Sequence, residues 1–300
     1  MNRYLLKSVC LLGLLAGALS CSVDEDMSDC DFTAKVRVVH HDRDVSFSDC
    51  ETVTLYVFDK EGAMLEEREV RVGELTELGY PYHGELQFYA LGNAQDGVNE
   101  KLNNGAAGKP EERGIDLIEK PRMRMTLADI QHTFYAHPSD LFLGSENAPN
   151  TRKKRDEITE VPIYRVVGSA RITIRSIKEY LQAETDDFSV IILPRYNTVS
   201  FRRQPAGGII AMAPQGSFVE ADEYVVPAFN FLSSTGGEEV EVRVYYQGEL
   251  VETVTHDRYG DPLVAYNGKL LDILIDYGAY VSVTITINPW GVENIWKDFE

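Results

Sequence analysis

The sequence predicts an all-β protein that consists of two β-sandwich domains in tandem. Apolar and polar residues alternate with period two through most segments, and few segments show the period of an amphipathic helix. The predicted strands are short and are separated by turn residues, which is typical of sandwiches. The chain has 300 residues, enough for two domains of about 150 residues that each bury a core.

Residues 1–20 are predicted to be a signal peptide. Their apolar run carries Arg3 and Lys7 near its start, and it is shorter than the roughly 20 apolar residues of a membrane-spanning helix. Its small residues lead into Cys21, an arrangement that resembles a bacterial lipobox. We therefore expect cleavage before Cys21 and attachment of acyl chains, palmitate among them, to this residue. Each buried CH₂ group contributes about 0.8 kcal/mol, so an anchor of several chains is stable.

An acidic linker at 21–29 follows the lipid site. Asp24, Glu25 and Asp26 stand close behind Cys21, and this run resembles the surface-export signal of some Gram-negative lipoproteins. The sequence therefore predicts a surface-exposed protein held in the cell outer membrane by its lipid. The alternative is an ordinary secretory signal, in which Cys21 later pairs in a disulfide.

The charge of the chain excludes nucleic acid as a partner. There are 29 Lys and Arg residues against 48 Asp and Glu residues, a formal net charge of −19. Loss of 1–20 removes two basic residues and no acidic one, which lowers the charge to −21. Such a surface repels phosphate backbones and anionic lipid headgroups. Contact with the membrane is therefore expected through the lipid on Cys21.

Two cysteines remain for disulfide chemistry. Of the four in the chain, Cys10 lies in the signal peptide and Cys21 is the lipid site. Cys30 and Cys50 form an even pair in an exported protein, which predicts a disulfide between them. The alternative is two free, buried thiols.

The N-terminal domain is predicted at 30–155 and the C-terminal domain at 156–300. A basic loop, "NAPNTRKKRDE", contains the boundary. The alternating segments of the first domain are "FTAKVRVVH", "TVTLYVFDKEG", "GELQFYALGNA", "RMRMTLADIQHTF" and "SDLFLGSE", with a short, weakly helical "GELTELG" after the second. Those of the second domain are "ARITIRSI", "DFSVIILPR", "EVEVRVYYQGELVETVTH" and "AYVSVTITINPW". The third of these predicts a hairpin that turns at Gln247 and Gly248.

The sequence contains no motif of catalysis or metal binding. His40, His41 and Asp42 are adjacent, but neighbouring residues on a strand point to opposite faces, so we expect a surface turn and no metal site. "GAAGKP" lacks the spacing and the Ser or Thr of a phosphate loop, and no zinc-protease or serine-hydrolase motif occurs. We therefore expect neither an enzyme nor a cofactor.

Several segments carry more information than their periodicity. They are the lipobox with its acidic tail, the strand opened by Cys30, "CETVTLYVFDKEG", "FYALGNAQ", "HPSDLFLG" and "VPIYRVVGSARITI", in this order from Cys21 to about Ile174. Together they resemble the fimbrium anchoring lipoproteins of the fimbrillin superfamily. The resemblance implies two transthyretin-like β-sandwich domains in tandem on the outer face of the outer membrane. It also implies fimbrial stalk subunits as partners, anchoring of the fimbrium base, limitation of fimbrium length, and no catalysis.

The C-terminal tail, "NPWGVENIWKDFE", is predicted to bind a partner. Trp290, Val292 and Trp296 fall on one face of an extended strand. A strand that joins a neighbour's open sheet gains main-chain hydrogen bonds, while its apolar side chains fill the groove. The alternative is that the tail completes the second sandwich of its own chain, although Pro289 is expected to break that pairing.

Donation of this tail is the route of assembly that the resemblance leaves open. Stalk subunits of the superfamily resemble one another in losing an N-terminal strand to proteolysis and accepting a neighbour's C-terminal strand. A cut after Arg37 or Arg43 would separate this chain from the lipid on Cys21. We therefore expect the first strand to stay in place.

Two other functions are compatible with a lipid-anchored sandwich. A surface glycan-binding lipoprotein would expose two or three aromatic side chains on one face. A lipid-anchored hydrolase would hold paired carboxylates, with pKa values pushed apart, in a cleft.

Overall fold

The computed structural model describes residues 31–41, 49–81, 84–95, 97–106, 108–120, 132–148 and 157–290. These residues form an all-β protein, which confirms the predicted fold class. The helical segments among them are the α-helix α1 (Ile177–Leu181) and a 3₁₀ turn (Pro110–Glu112). Within this part of the chain no helix has the length and apolar character needed to cross a membrane.

Twenty-one strands make up the sheets of the described residues. The first nine are β1 (Asp31–His40), β2 (Thr52–Phe58), β3 (Met64–Arg71), β4 (Leu75–Pro81), β5 (Leu86–Gly92), β6 (Glu100–Asn103), β7 (Gly114–Leu117), β8 (Phe142–Ala148) and β9 (Ile158–Arg165). The others are β10 (Val167–Arg175), β11 (Phe188–Leu193), β12 (Thr198–Ser200), β13 (Pro205–Ala206), β14 (Ser217–Glu220), β15 (Glu223–Leu232), β16 (Glu238–Glu239), β17 (Glu241–Tyr246), β18 (Glu249–Val254), β19 (Val264–Ala265), β20 (Lys269–Asp276) and β21 (Ser282–Pro289).

The N-terminal half is one seven-stranded sheet that curls onto itself. Its strand order is β3-β2-β5-β8-β9-β1-β4, and β1 runs parallel to β9. One face buries a core that includes Val36, Leu55 and Phe88. The two edge strands, β3 and β4, lie close together. The Tyr80 hydroxyl on β4 donates a 2.6 Å hydrogen bond to the Glu66 carboxylate on β3. The curled sheet thereby encloses its own core.

The C-terminal half packs two sheets against each other. A five-stranded sheet has the order β14-β15-β10-β20-β21, and a three-stranded sheet has the order β11-β17-β18. Ile172 and Ile273 of the first sheet share a buried core with Val242 of the second. The predicted hairpin is confirmed: β17 pairs with β18, and Gln247 and Gly248 adopt φ values of 51° and 83° at the turn.

The two halves are joined by a small sheet with the order β13-β12-β7-β6. Gly114 of β7 pairs with Ser200 of β12, and a Cβ atom on Gly114 would lie 2.0 Å from the carbonyl oxygen of Val199. Only glycine therefore permits this approach. The rings of Tyr89 and Phe201, 5.3 Å apart, belong to a core shared by both halves.

Two local features differ from the expectations. The sequence predicts that the segment "GELTELG" is weakly helical, but it contributes to strand β4. In this strand Leu78 is buried and Glu77 is exposed. Pairing with β1 overrides the weak local preference. Strand β9 lies beyond the predicted boundary at residue 155, yet it belongs to the N-terminal sheet through β1 and β8. That sheet therefore continues to Arg165.

Candidate functional site

The first described strand, β1, lies between two other strands of the seven-stranded sheet. It pairs with β4 over Asp31–Arg37 and with β9 over Lys35–His40. Its inward side chains, Ala34, Val36 and Val38, are at most 4% exposed. Because β1 is paired on both sides and buried on one face, its loss would expose two strand edges and an apolar core.

Arg37 lies in the doubly paired part of β1. Its register partners are Leu75 on β4 and Glu160 on β9, and its guanidinium is 3.5 Å from the Glu160 carboxylate. Backbone that is hydrogen-bonded on both sides must open before a protease can bind it. Arg43, the other candidate cleavage position, lies outside the described residues.

The last described strand, β21, forms an edge of the five-stranded sheet. It pairs with β20 from Ser282 to Pro289. On its other side the Val283 carbonyl accepts a 2.9 Å hydrogen bond from the Arg258 amide. Because backbone direction alternates along an antiparallel strand, the polar groups of Ile285 and Ile287 face that same side. This edge is suited to adding a strand.

The structure places Trp290 against its own chain. The Arg165 guanidinium lies 4.2 Å from the centre of the Trp290 ring, and this ring packs against the large core. Pro289 pairs with Lys269 and does not break the strand, as it was expected to do. For Trp290, the structure favours the alternative in which the tail completes its own sandwich. Val292 and Trp296, the other predicted partner-binding residues, lie outside the described residues.

Arg165 connects the N-terminal sheet to the C-terminal strand. Its side chain is 3% exposed, and it makes two hydrogen bonds to the Asp140 carboxylate, of 2.6 and 2.8 Å. The Asp49 carboxylate is 3.5 Å away, and the Phe142 ring centre is 4.8 Å away. Burial raises the pKa of Asp140 above its ordinary value, although the Arg165 guanidinium opposes this shift. Such bidentate, ring-covered arginines hold neighbouring elements in a fixed geometry.

Of the two cysteines predicted to form a disulfide, only Cys50 belongs to the described residues. Cys50 is a free, buried thiol that donates to the Thr52 carbonyl at 3.4 Å. Cys30 lies outside the described residues but directly precedes Asp31, at the far end of the ten-residue strand β1. The opposite end of β1 lies beside Cys50, because the Nε2 atom of His40 is 3.1 Å from the Cys50 carbonyl oxygen.

The length of β1 explains why the pairing is disfavoured. Extended residues rise about 3.3 Å each, so the ends of β1 are about 30 Å apart. A disulfide requires Cα atoms within about 7 Å of each other. Burial raises the pKa of the Cys50 thiol to about 12, so this group stays protonated. The geometry therefore favours the alternative of two free thiols.

We expect two reactive thiols in the mature protein. After denaturation without reductant, a colorimetric thiol assay should count Cys30 and Cys50, because Cys21 is expected to carry the lipid. In the native protein Cys50 should react slowly, since it is buried and protonated. A count of zero in the denatured sample would contradict this expectation and restore the disulfide.

His40 and His41 are held by neighbouring rings. The His40 ring meets Phe142 edge-on at 5.6 Å, and the His41 ring lies 4.2 Å from that of Tyr164. No group of three or more potential metal ligands occurs within the described ranges. Asp42, the third residue of the adjacent trio, lies outside them.

Three exposed tyrosines lie towards one end of the C-terminal half. Tyr180, Tyr259 and Tyr280 are 54%, 74% and 81% exposed. Tyr180 belongs to α1, which follows β10, and Tyr280 follows β20, whose end is aligned with that of β10. The hydrogen bond from Arg258 to Val283 brings the loop of Tyr259 to the start of β21. The structure thus gathers several exposed aromatic residues at this end.

The fold and the arrangement of β1 and β21 can now be compared with known proteins. Residues 27–296 match the family model described as "Fimbrillin-A associated anchor proteins Mfa1 and Mfa2". The chain belongs to this family. Its membership confirms the resemblance to fimbrium anchoring proteins that the sequence segments indicated.

Individual fimbrial anchor proteins resemble this Mfa2-family chain along nearly its whole length. The major fimbrium anchoring subunit FimB of Porphyromonas gingivalis strain W83 is 24% identical, over 96% of each chain. FimB of strain ATCC 33277 is 23% identical, again over 96% of each chain. The solved structure of the fimbrial anchor protein Mfa2 from P. gingivalis aligns with a TM-score of 0.58 and 13% identity, over 87% of this chain and 98% of its own. This last likeness shows the fold.

Arg165 is a structural centre of this Mfa2-family chain that strand periodicity does not reveal. The available signal was a single basic residue inside the apolar run "IYRVV". A charge in such a run is expected to have a buried partner. Its partner, Asp140, is 25 residues away in the chain, and periodicity does not identify partners at that separation.

Proposed function

We propose that this protein is an outer-membrane lipoprotein that anchors the base of a fimbrium and limits its length. Membership in a family of fimbrial anchor proteins supports the general role. The observation that carries the specific role is the position of β1, which is paired with β4 and β9 and buried in the core. A continuous chain then leads from this strand back to Cys21 and its lipid.

A filled groove explains how an anchor ends a polymer. A subunit whose own strand occupies the groove offers no acceptor site there to another chain. Growth therefore stops at this subunit, which fixes one end of the fimbrium. The number of anchors available to nascent fimbriae then limits their length. The lipid on Cys21 holds that end at the cell surface.

The remaining connection to the stalk is donation by residues beyond Trp290. Trp290 packs under Arg165 and fixes the point at which the chain leaves the second sandwich. Val292 and Trp296 would supply the apolar side chains that enter a stalk subunit's groove. Binding of this kind uses main-chain hydrogen bonds and packing, so the protein works without catalysis or a cofactor.

Replacement of Cys21 by Ala tests the anchor. We expect the variant to accumulate as an uncleaved or mislocalised precursor, because the acyl chains that hold it in the membrane are missing. Fractionation and immunoblotting of the native host should show loss from the outer membrane, with fimbriae released into the medium. Cys50→Ala serves as a control for loss of a thiol elsewhere. Full recovery of the Cys21 variant with the outer membrane would contradict the proposal.

A further inference from the structure

A polar cavity of about 620 Å³ lies between the two halves of the chain. Its walls are strand ends and turns: Tyr164 and Arg165 come from the end of β9, and the turn between β12 and β13 supplies Arg202 and Arg203. Its lining also includes Tyr196, Gln204, Ser234, Thr235, Glu238 and Asn267. The volume is within the range of small-ligand sites.

Two arginines give this cavity a local positive charge. Arg202 and Arg203 are adjacent, exposed residues in a chain with a formal net charge of −19. Most arginines in the described ranges have a carboxylate within 4.0 Å, as Arg37, Arg68 and Arg175 do. No such pair involves Arg202 or Arg203 among those residues. Their charge is therefore available to a bound anion.

Contacts with tyrosines fix both guanidinium groups. That of Arg203 lies 3.5 Å from the centre of the Tyr164 ring, and the His41 ring lies 4.2 Å from the same centre. Two groups this close must occupy opposite faces of the ring. Arg202 contacts the hydroxyl of Tyr89, a residue of the shared core. Preorganised groups lose little conformational entropy when a ligand binds.

The remaining walls supply neutral hydrogen-bonding groups. The lining includes Ser234, Thr235 and Gln204, whose side chains carry hydroxyl and amide groups. One carboxylate, that of Glu238, also lines it and accepts a 2.7 Å hydrogen bond from the Tyr196 hydroxyl. The cavity thus combines a cationic side with several neutral donors and acceptors.

We propose that this cavity binds an acidic sugar residue. The sugar carboxylate would contact Arg202 and Arg203, whose planar guanidinium groups match its geometry. The sugar hydroxyls would meet Ser234, Thr235 and Gln204. A neutral sugar that relies on aromatic stacking is disfavoured, because both faces of the Tyr164 ring are covered. This binding site is independent of the proposed anchoring role.

Calorimetric titration of the full mature chain tests the proposal. The probes are D-galacturonate, D-glucuronate and N-acetylneuraminate, with their methyl esters as uncharged counterparts and inorganic phosphate as a bare anion. We expect saturable binding of at least one acid, weakened at least about tenfold in R202Q/R203Q, since this variant loses the charge-assisted hydrogen bonds to the sugar carboxylate. Arg258→Gln is the matched control, because Arg258 also lies on a tyrosine ring but outside the cavity.

Glu238→Gln tests whether the affinity for the acid changes in the direction that charge predicts. Removal of the one carboxylate that lines the cavity should strengthen binding of the acid, whereas a nonspecific contact elsewhere would not respond. Failure of all three acids to bind would overturn the proposal, as would equal binding of an acid and its ester. Equal affinity for phosphate would overturn the sugar assignment. Circular dichroism of each variant verifies that the fold is intact, and fimbrial anchoring in cells is scored separately.

Discussion

Replacement of Arg165 by Met is expected to lower the free energy of unfolding by about 3–5 kcal/mol. The side chain is 3% exposed and is paired with Asp140. Its removal leaves the partly buried Asp140 carboxylate without its guanidinium partner. It also removes the cation that lies over the Trp290 ring. Equilibrium urea unfolding, followed by tryptophan fluorescence, measures the loss.

The Arg165 prediction has two controls. Arg71→Met removes an exposed arginine whose side chain is 74% accessible and 3.8 Å from Glu74, and should change stability by less than about 1 kcal/mol. Asp140→Asn in the Arg165→Met background removes the carboxylate charge that has lost its partner. The double variant should therefore lose less free energy of unfolding than the two single variants lose in sum. An Arg165→Met loss as small as that of Arg71→Met would contradict the assigned role.

The same pair predicts how the loss depends on pH. Burial already raises the pKa of Asp140, and removal of the opposing Arg165 charge should raise it further. Protonation then removes the charge that the variant leaves unpaired. The difference in stability between wild type and Arg165→Met should therefore be largest near neutral pH and should shrink as the pH falls through the pKa of Asp140.

Alternation identifies strands whose two faces meet different environments. In β2 the segment "TVTLYVF" alternates in this way, and the structure buries Val53, Leu55 and Val57 in one core. The rule fails at β3, "MLEEREVR", an edge strand that is mostly exposed and therefore rich in charge. Alternation also does not predict the parallel pairing of β1 with β9. These strands are far apart in the sequence, and their pairing depends on the assembly of the whole core.

The candidate site was predictable to the extent that it depends on local pattern. The tail was recognised from its tryptophans, but the sequence gives no sign that Trp290 meets Arg165. That contact needs the end of β21 to lie beside the end of β9, which follows from how the two halves pack. Likewise, Arg202 and Arg203 are an ordinary turn pair in the sequence and become a cationic wall only when Tyr164 packs beside them.

Deletion of residues 291–300 is expected to shed fimbriae into the medium while the shortened protein stays in the outer membrane. Pairing of β21 with β20 and the contact of Trp290 with Arg165 are both retained in this variant. The fold should therefore survive, with a melting temperature close to that of the wild type. Immunoblots of cells and medium for the stalk subunit and for this protein measure the two locations.

The locations of the stalk subunit and of this protein distinguish loss of the tail from failure of the lipid anchor. Loss of lipid at Cys21 removes anchor and fimbria together, whereas loss of the tail releases the fimbria alone. The full-length variant Val292→Asp/Trp296→Asp should reproduce the deletion, because two charges on the inserted face oppose burial in an apolar groove. Lys297→Ala is the matched control, since it changes the tail but spares that face. If fimbriae stay on cells that carry the deletion, donation by this tail is excluded, and the open edge of β21 at Ile285 and Ile287 becomes the surface at which a stalk subunit would have to pair.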